Sequence, residues 1–181
     1  MKNKYIKELD LNLNLNYLIK LSLTTEGNLI DGHRNNHRLV AADPYMSKIK
    51  EIFPCLSPIY NVNHLREGVP FPIHMDSDRN AALNIPIQNT ANSFTTFYDN
   101  PPDAQLKYDN ERILHEFLSP VDEVFRFTLN KPTIINTSIP HSVIHPEPGD
   151  RIILSWSFLK SYDFEQACEI FNDDVVSDIV L

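Results

Sequence analysis

The sequence predicts a mainly β domain, a sandwich or barrel with flanking helices, on three observations. Short runs of β-branched, aromatic or alternating residues recur from Ile59 to Phe158. Proline is plentiful (13) and glycine scarce (4), so the runs are separated by proline-containing turns. Helical signals are few and short, which leaves the strands to build the architecture.

Along the chain, Leu9–Leu23 places Leu11, Leu13 and Leu15 at period two and predicts a strand. Asp43-Pro44 opens a capped helix over Tyr45–Phe53. Asp43 stands at the N-cap, Pro44 at the first helical position, and Met46, Ile49, Ile52 and Phe53 on one face, before Pro54 stops it. Strands follow at Ile59–Leu65, Phe71–Asp76, Ala82–Ile87 and Ser93–Tyr98, with a turn at Glu67-Gly68. Asn100-Pro-Pro-Asp103 reads as a loop and Lys107–Leu118 as a short helix. Four more strands are expected at Glu123–Leu129, Pro132–Asn136, Ser142–His145 and Arg151–Phe158. Asp163–Phe171 is expected to be a closing helix and Asp173–Leu181 an acidic tail.

Composition bounds the function. The chain has 181 residues, enough for one domain that buries about 70% of its unfolded surface without disulfides or metal staples. The net charge of −8 argues against general nucleic-acid binding. Neither GxxxxGK[ST] nor GxGxxG occurs, which removes two nucleotide-binding classes. No run is apolar enough to cross a bilayer, and no secretory h-region follows the basic Met1–Lys7. Cys55 and Cys168 are too few for a disulfide framework and read as free thiols, so a cytoplasmic location is expected.

Three features carry chemistry. In His74-Met75-Asp76 a strand would point imidazole and carboxylate to one face. His141 lies in Asn136-Thr-Ser-Ile-Pro-His-Ser-Val-Ile-His145. Arg151 comes ten residues later and opens Arg-Ile-Ile-Leu-Ser-Trp-Ser-Phe158. There Arg151, Ile153, Ser155 and Ser157 share one face, and Ile152, Leu154, Trp156 and Phe158 the other. An HxD pair alone is common by chance; its agreement with a distal histidine and a spaced arginine is what gives it weight. Two imidazoles and one carboxylate make a facial triad that holds Fe(II) and leaves three positions open. An arginine beside it offers a planar fork for a carboxylate. His145 is a rival distal ligand with an arginine spacing of six, and reads better as a pocket or surface histidine. His33, His37, His64 and His115 show no metal spacing and read as surface residues. Trp156 reads as core.

This pattern resembles the Fe(II)- and 2-oxoglutarate-dependent oxygenases, over roughly residues 59 to 158. The stretch His141-Ser-Val-Ile-His-Pro-Glu-Pro-Gly-Asp-Arg151 and the Leu83–Ile87 strand look most like the aspartyl/asparaginyl β-hydroxylase branch. The resemblance implies a double-stranded β-helix, the cupin-like jelly roll, as a single domain over residues 1–181. By the same resemblance His74, Asp76 and His141 ligate iron, Arg151 pairs with the distal carboxylate of 2-oxoglutarate, and Ser155 adds a hydrogen bond. An Arg-x-His pair that the branch carries on the next strand is missing here. Asn84 and Arg79 are therefore the candidates for the C1 carboxylate, with a salt bridge to Asp76 or Asp78 the alternative for Arg79. The implied reaction is hydroxylation of an Asp- or Asn-like side chain or of a small amino-acid-like molecule. Residues 31–38 and 100–110 are expected to be specificity loops. Two other readings stand beside it: a non-catalytic cupin-like binding or structural module, and a cupin metalloenzyme that does not use 2-oxoglutarate.

Overall fold

The computed structural model describes residues 3–24, 33–99, 105–109, 112–116 and 121–171, with side chains left aside at 33–36, 105–109 and 112–116. In chain order the elements are β1 (Ile6–Glu8), α1 (Leu15–Leu23), β2 (His33–Leu39), α2 (Pro44–Ile52), β3 (Leu56–Leu65), β4 (Phe71–His74), β5 (Ala81–Gln88) and β6 (Phe94–Tyr98). They continue with β7 (Gln105–Asp109), β8 (Arg112–Glu116), β9 (Glu123–Phe127), β10 (Thr133–Asn136), β11 (His141–Ile144), β12 (Arg151–Phe158) and α3 (Phe164–Ile170).

One antiparallel sheet has the order β1-β10-β5-β12-β3-β2, the other β4-β11-β6-β9, and β7-β8 form a hairpin of their own. Eight of these strands, β3 to β6 and β9 to β12, define the fold. Counted one to eight in chain order, they alternate between the sheets as 1-8-3-6 and 2-7-4-5. That is the double-stranded β-helix, a jelly roll. β1 and β2 extend the larger sheet at its two edges.

The alternation expected along Arg151–Phe158 holds and assigns the faces. Ile152, Leu154, Trp156 and Phe158 join Tyr60, Val62, Leu83, Ile85 and Ile134 in one buried cluster with Leu18, Met46, Ile49, Phe53, Phe164 and Phe171. The helices therefore pack on the outer face of the larger sheet, where Trp156 donates its indole N–H to the Ser57 carbonyl (2.7 Å). A smaller cluster of Ala82, Phe97 and Ile135 with Phe125 and Phe127 lies between the sheets. Beside it the interior holds the buried polar side chains of Asn61, Asn84, Arg151 and Ser155, with Ile153 among them.

The α2 helix is capped as its sequence predicts. Asp43 accepts from the backbone N–H of Tyr45 and of Met46, each at 3.0 Å, and its second oxygen accepts from the Tyr17 hydroxyl at 2.5 Å. α3 begins at a full capping box formed by Asp163 and Gln166. Neither Cys55 nor Cys168 forms a disulfide among the described residues.

Several expectations are corrected. The strand expected over Leu9–Leu23 is a helix from Leu15 onward, where Leu18 and Ser22 are buried. Of the period-two leucines, Leu11 and Leu13 precede Asn14, whose side chain caps the helix by accepting from Tyr17 N–H, and Leu15 opens the helix, so tertiary packing overrides the local pattern. The helix expected within Lys107–Leu118 is the β7-β8 hairpin. Residues 33–38, expected to be a loop, are most of strand β2, paired with β3. The loop at 100–103 and the acidic tail at 173–181 lie outside the described residues.

Replacing Asp43 with Ala removes the cap and leaves the partly exposed Tyr17 hydroxyl without this acceptor. The expected loss is about 2 kcal/mol, read as a lower urea midpoint at unchanged m-value; a change below about 0.5 kcal/mol would show that α2 does not depend on this cap.

Candidate functional site

The two histidines are brought together by strand pairing. β11 lies between β4 and β6, with His141 directly opposite both His74 and Phe97. The imidazole centroids are 4.2 Å apart, and the Phe71 ring sets its edge against His74 at 4.6 Å. Each ring is oriented by the carbonyl two residues before it. His74 Nδ1–H donates to Pro72 O (2.8 Å) and His141 Nδ1–H to Ile139 O (2.9 Å). A carbonyl can only accept, so both rings carry the proton on Nδ1 and present a bare Nε2.

Asp76 lies just past the end of β4. Thr137 fixes that loop: its carbonyl accepts from Asp76 N–H (3.0 Å), its N–H donates to Asn80 O (3.1 Å), and its hydroxyl donates to Arg79 O (3.2 Å). Asp76 Oδ1 stands 3.8 Å from His74 Nε2. Its Oδ2 accepts from Arg79 Nε (2.5 Å), and Arg79 Nη1 donates on to the Ser157 hydroxyl (2.8 Å). Of the alternatives weighed for Arg79, the structure thus shows the salt bridge to Asp76.

Burial makes the electrostatics strong. Desolvation, then the neighbouring His141, pushes His74 down to about 3, and desolvation likewise lowers His141. Both rings are neutral at pH 7. Burial would raise Asp76, but Arg79 and then the two histidines outweigh it and hold the carboxyl below its ordinary value. A pair of neutral Nε2 atoms and one free carboxylate oxygen is a donor set that suits Fe(II) in kind. As placed, no three His, Cys, Asp or Glu side chains among the described residues close around a common point. Binding an ion at bond lengths near 2.0–2.2 Å therefore requires the three to draw in.

Arg151 is buried at the start of β12, 4% exposed. Its Nε donates to the Ser93 hydroxyl (2.8 Å), which in turn donates to Thr90 O (3.0 Å). Among the described residues no carboxylate faces it, and desolvation alone lowers its guanidinium to about 10. A buried guanidinium without a counter-ion is costly to hold and is a seat for an anion.

Between these two groups runs a polar row across the larger sheet. Ser155 pairs with Asn84 on one side and Asn61 on the other, and Asn84 pairs with Thr133. Asn84 and Ser155, expected site residues, are both buried there, and the Oδ1 atoms of Asn61, Asn63 and Asn84 have no hydrogen-bond partner.

Two expected placements fail. His145, fully buried, is neither surface nor pocket: its Nε2 donates to Gly149 O (2.7 Å), clamping the turn into β12. That turn needs glycine, because Gly149 has φ +86° and a Cβ there would come within 3.0 Å of the Asn89 side-chain nitrogen. His64 is also buried, with Nδ1 4.0 Å from Asp150. Sequence reasoning missed Thr137 and Ser93 as site residues, and read Asn61 only as a residue that either lines the pocket or packs at the core or rim.

No known family profile and no curated protein sequence matches this chain. Solved structures do. The epimerase SnoN, in complex with Fe3+, alpha ketoglutarate and nogalamycin RO, superposes with TM-score 0.57 at 13% identity, over 87% of this chain and 79% of that one. A Pseudomonas putida prolyl-4-hydroxylase gives 0.49 at 12%, over 87% and 94%. Hazelnut vicilin gives 0.45 at 8%, over 77% of this chain and 32% of the vicilin, so the chain spans about a third of that protein. At such identities the likeness to SnoN establishes the jelly roll and nothing finer. No helix among the described residues is long and apolar enough to cross a membrane.

The neutral histidines predict an acid-labile apoprotein. Their folded pKa values lie below the unfolded value near 6.5, so the unfolded chain binds protons that the folded chain refuses. Stability is complete above pH 7 and falls as pH drops from about 6.5 toward 4, with a slope up to about 1.4 kcal/mol per pH unit for each histidine. Asp76, also depressed, adds loss only below about pH 4. Urea titrations of metal-free protein across this window read the slope, which His141→Gln should reduce; a flat profile from pH 7 to 5 would contradict the burial of both rings as neutral species.

Proposed function

We propose that the protein is an Fe(II)- and 2-oxoglutarate-dependent dioxygenase acting on a small substrate or a protein side chain. The observation that carries this reading is the pair of imidazoles, both fixed with Nε2 bare, beside a carboxylate with one free oxygen, in the same interior as a buried guanidinium that lacks a counter-ion. A jelly roll alone would not suggest it, since one fold hosts many unrelated functions.

His74, Asp76 and His141 would hold the metal, and Arg151 the distal carboxylate of 2-oxoglutarate. The spacing supports both at once. Phe97 is level with His141, and Ser93, which holds the Arg151 guanidinium, is four residues earlier on the same run. At about 3.3 Å per residue that offset is about 13 Å. Shortened by the inward reach of the side chains, it leaves room for a five-carbon diacid between metal and guanidinium. When bound, Fe(II) supplies oxygen activation coupled to decarboxylation of the co-substrate.

The chain's own residues do the remaining work. Pro72 and Ile139 carbonyls keep the rings in the ligating tautomer, so no proton needs to leave them. Arg79 occupies Asp76 Oδ2 and leaves Oδ1 as the single donor. Asn84 and Ser155 line the path between the two anchors, and Asn84 is the better placed for the C1 carboxylate because Arg79 is already committed to Asp76 and Ser157. Hydroxylation is the outcome proposed, and the aspartyl/asparaginyl β-hydroxylase branch the proposed kinship.

Anaerobic addition of Fe(II) and then 2-oxoglutarate tests the reading. A weak visible charge-transfer band should appear only with both, and should vanish in His74→Ala and His141→Ala. Arg151→Ala should weaken 2-oxoglutarate binding at least 100-fold, about 3 kcal/mol for a buried charge-assisted pair. Iron binding without the band would favour a cupin using other chemistry; no metal binding would favour a binding or structural module.

A further inference from the structure

Two residues outside the triad, His145 and Asn89, grip the head of strand β12. From the β11 side, His145 Nε2–H donates to Gly149 O (2.7 Å), and the His145 carbonyl is itself pinned by Gly68 N–H (2.8 Å). From the β5–β6 turn, Asn89 Nδ2 donates to Asp150 O (3.0 Å), the carbonyl just before Arg151. Asn89 takes a left-handed backbone (φ 51°), and its amide stands where a Cβ on Gly149 would crowd it. The same turn holds the Arg151 side chain: Ser93 Oγ accepts from Arg151 Nε (2.8 Å) and donates to Thr90 O (3.0 Å). His145 and Ser93 each stand one residue beyond the last rung of the β11–β6 ladder, Ile144 with Phe94. The backbone before Arg151 and its guanidinium are thus both held. With Nε engaged, the two Nη groups remain as a planar fork.

We propose that His145 and Asn89 are positioning residues for the co-substrate: acting through Arg151, they fix the gap between its guanidinium and the metal ligands, and so set the length of diacid that the interior accepts. The inference rests on the oxygenase reading and deepens it. An arginine has many rotamers, and one tied down before the ligand arrives has already lost that freedom, which favours binding. The opposite anchor is fixed as well, since the two imidazoles are tied to Pro72 O and Ile139 O. Between two fixed anchors a diacid must match the gap, and one with an extra methylene must buckle to fit. Loosening the head of β12 frees one anchor, which weakens the matched diacid and lets the longer one in. His145 is fully buried and Asn89 is exposed, so the larger share of this restraint falls to His145.

Calorimetry on full-length protein loaded anaerobically with Fe(II) reads the affinities for 2-oxoglutarate and the six-carbon 2-oxoadipate, with the visible band recorded on the same samples. Wild-type protein should prefer the five-carbon acid about tenfold or more. His145→Phe keeps a buried ring without an N–H. It should weaken 2-oxoglutarate about tenfold and narrow the preference to under about threefold, while Fe(II) affinity stays within about twofold. His145→Gln keeps an amide donor for Gly149 O and should restore both affinity and preference. Asn89→Gly, in a turn whose positive φ suits glycine, should shift both the same way by about threefold, and carries the test if the phenylalanine variant does not fold. Weakened binding with the preference intact would mark a purely structural role and overturn the proposal. So would a wild type that does not discriminate, or variants that match it; a normal band in any of these cases leaves the oxygenase reading standing. Weakened binding and a lost preference in the variants, with no band even in wild type, would uphold the positioning role and overturn the oxygenase reading.

Discussion

Strand β12 must satisfy two solvents at once, and the rest of the molecule depends on its doing so. Its even-numbered residues are apolar and meet three helices; of its four odd-numbered residues, Arg151, Ser155 and Ser157 are polar and share the opposite face with Ile153. Because side chains alternate, a slip of one residue would drive a guanidinium into the apolar cluster and a tryptophan onto the opposite face. The register is thus pinned by energies of several kcal/mol on both faces. Pinning β12 pins its neighbours β3 and β5, and with them the row that runs from Thr133 through Asn84 and Ser155 to Asn61. The His145–Gly149 clamp at the head of the strand sets where that register begins.

The smaller sheet answers a different demand. It holds two imidazoles side by side with nothing between them but their own planes, and it does so from strands only four residues long. Short strands have little pairing energy of their own, so the geometry is carried by satisfied backbone groups. Thr137 contributes both backbone groups and its hydroxyl to the loop bearing Asp76 and Arg79, and the ring nitrogens are tied to their own chain. Precision at this site comes from hydrogen bonds within a few residues and not from a deep apolar core.

How much of this is legible in the sequence follows from the range of the forces involved. Strand alternation at Arg151–Phe158 and the Asp43-Pro44 cap are local, and both appear in the structure as read. The HxD pair and His141 are legible as residue types, and the pairing of β4 with β11 puts the two histidines opposite each other. What fails is non-local. Leu15–Leu23 carries a strand-like start yet folds as a helix because the outer face of the larger sheet offers its leucines a partner. Residues 33–38 look like a charged loop and pair as an edge strand, since pairing needs only β3 beside them. His64 and His145 look like surface residues because burial of a histidine is decided by what folds over it. Thr137, Ser93 and Asn61 act through partners 57 to 94 residues away: Thr137 through residues near 80, Ser93 through Arg151, and Asn61 through Ser155.

The lone guanidinium of Arg151 has a consequence for the thermodynamics of the whole chain. The folded state confines a positive charge that the unfolded state leaves in water, so part of the folding free energy is spent on confinement until an anion arrives. Occupancy and folding are then linked: a carboxylate seated there binds only the native state and raises its stability by RT ln(1 + [L]/Kd), about 2.7 kcal/mol at a hundredfold excess over Kd. Melting temperature then reports the concentration of any anion that fits beside Arg151, whether or not turnover takes place.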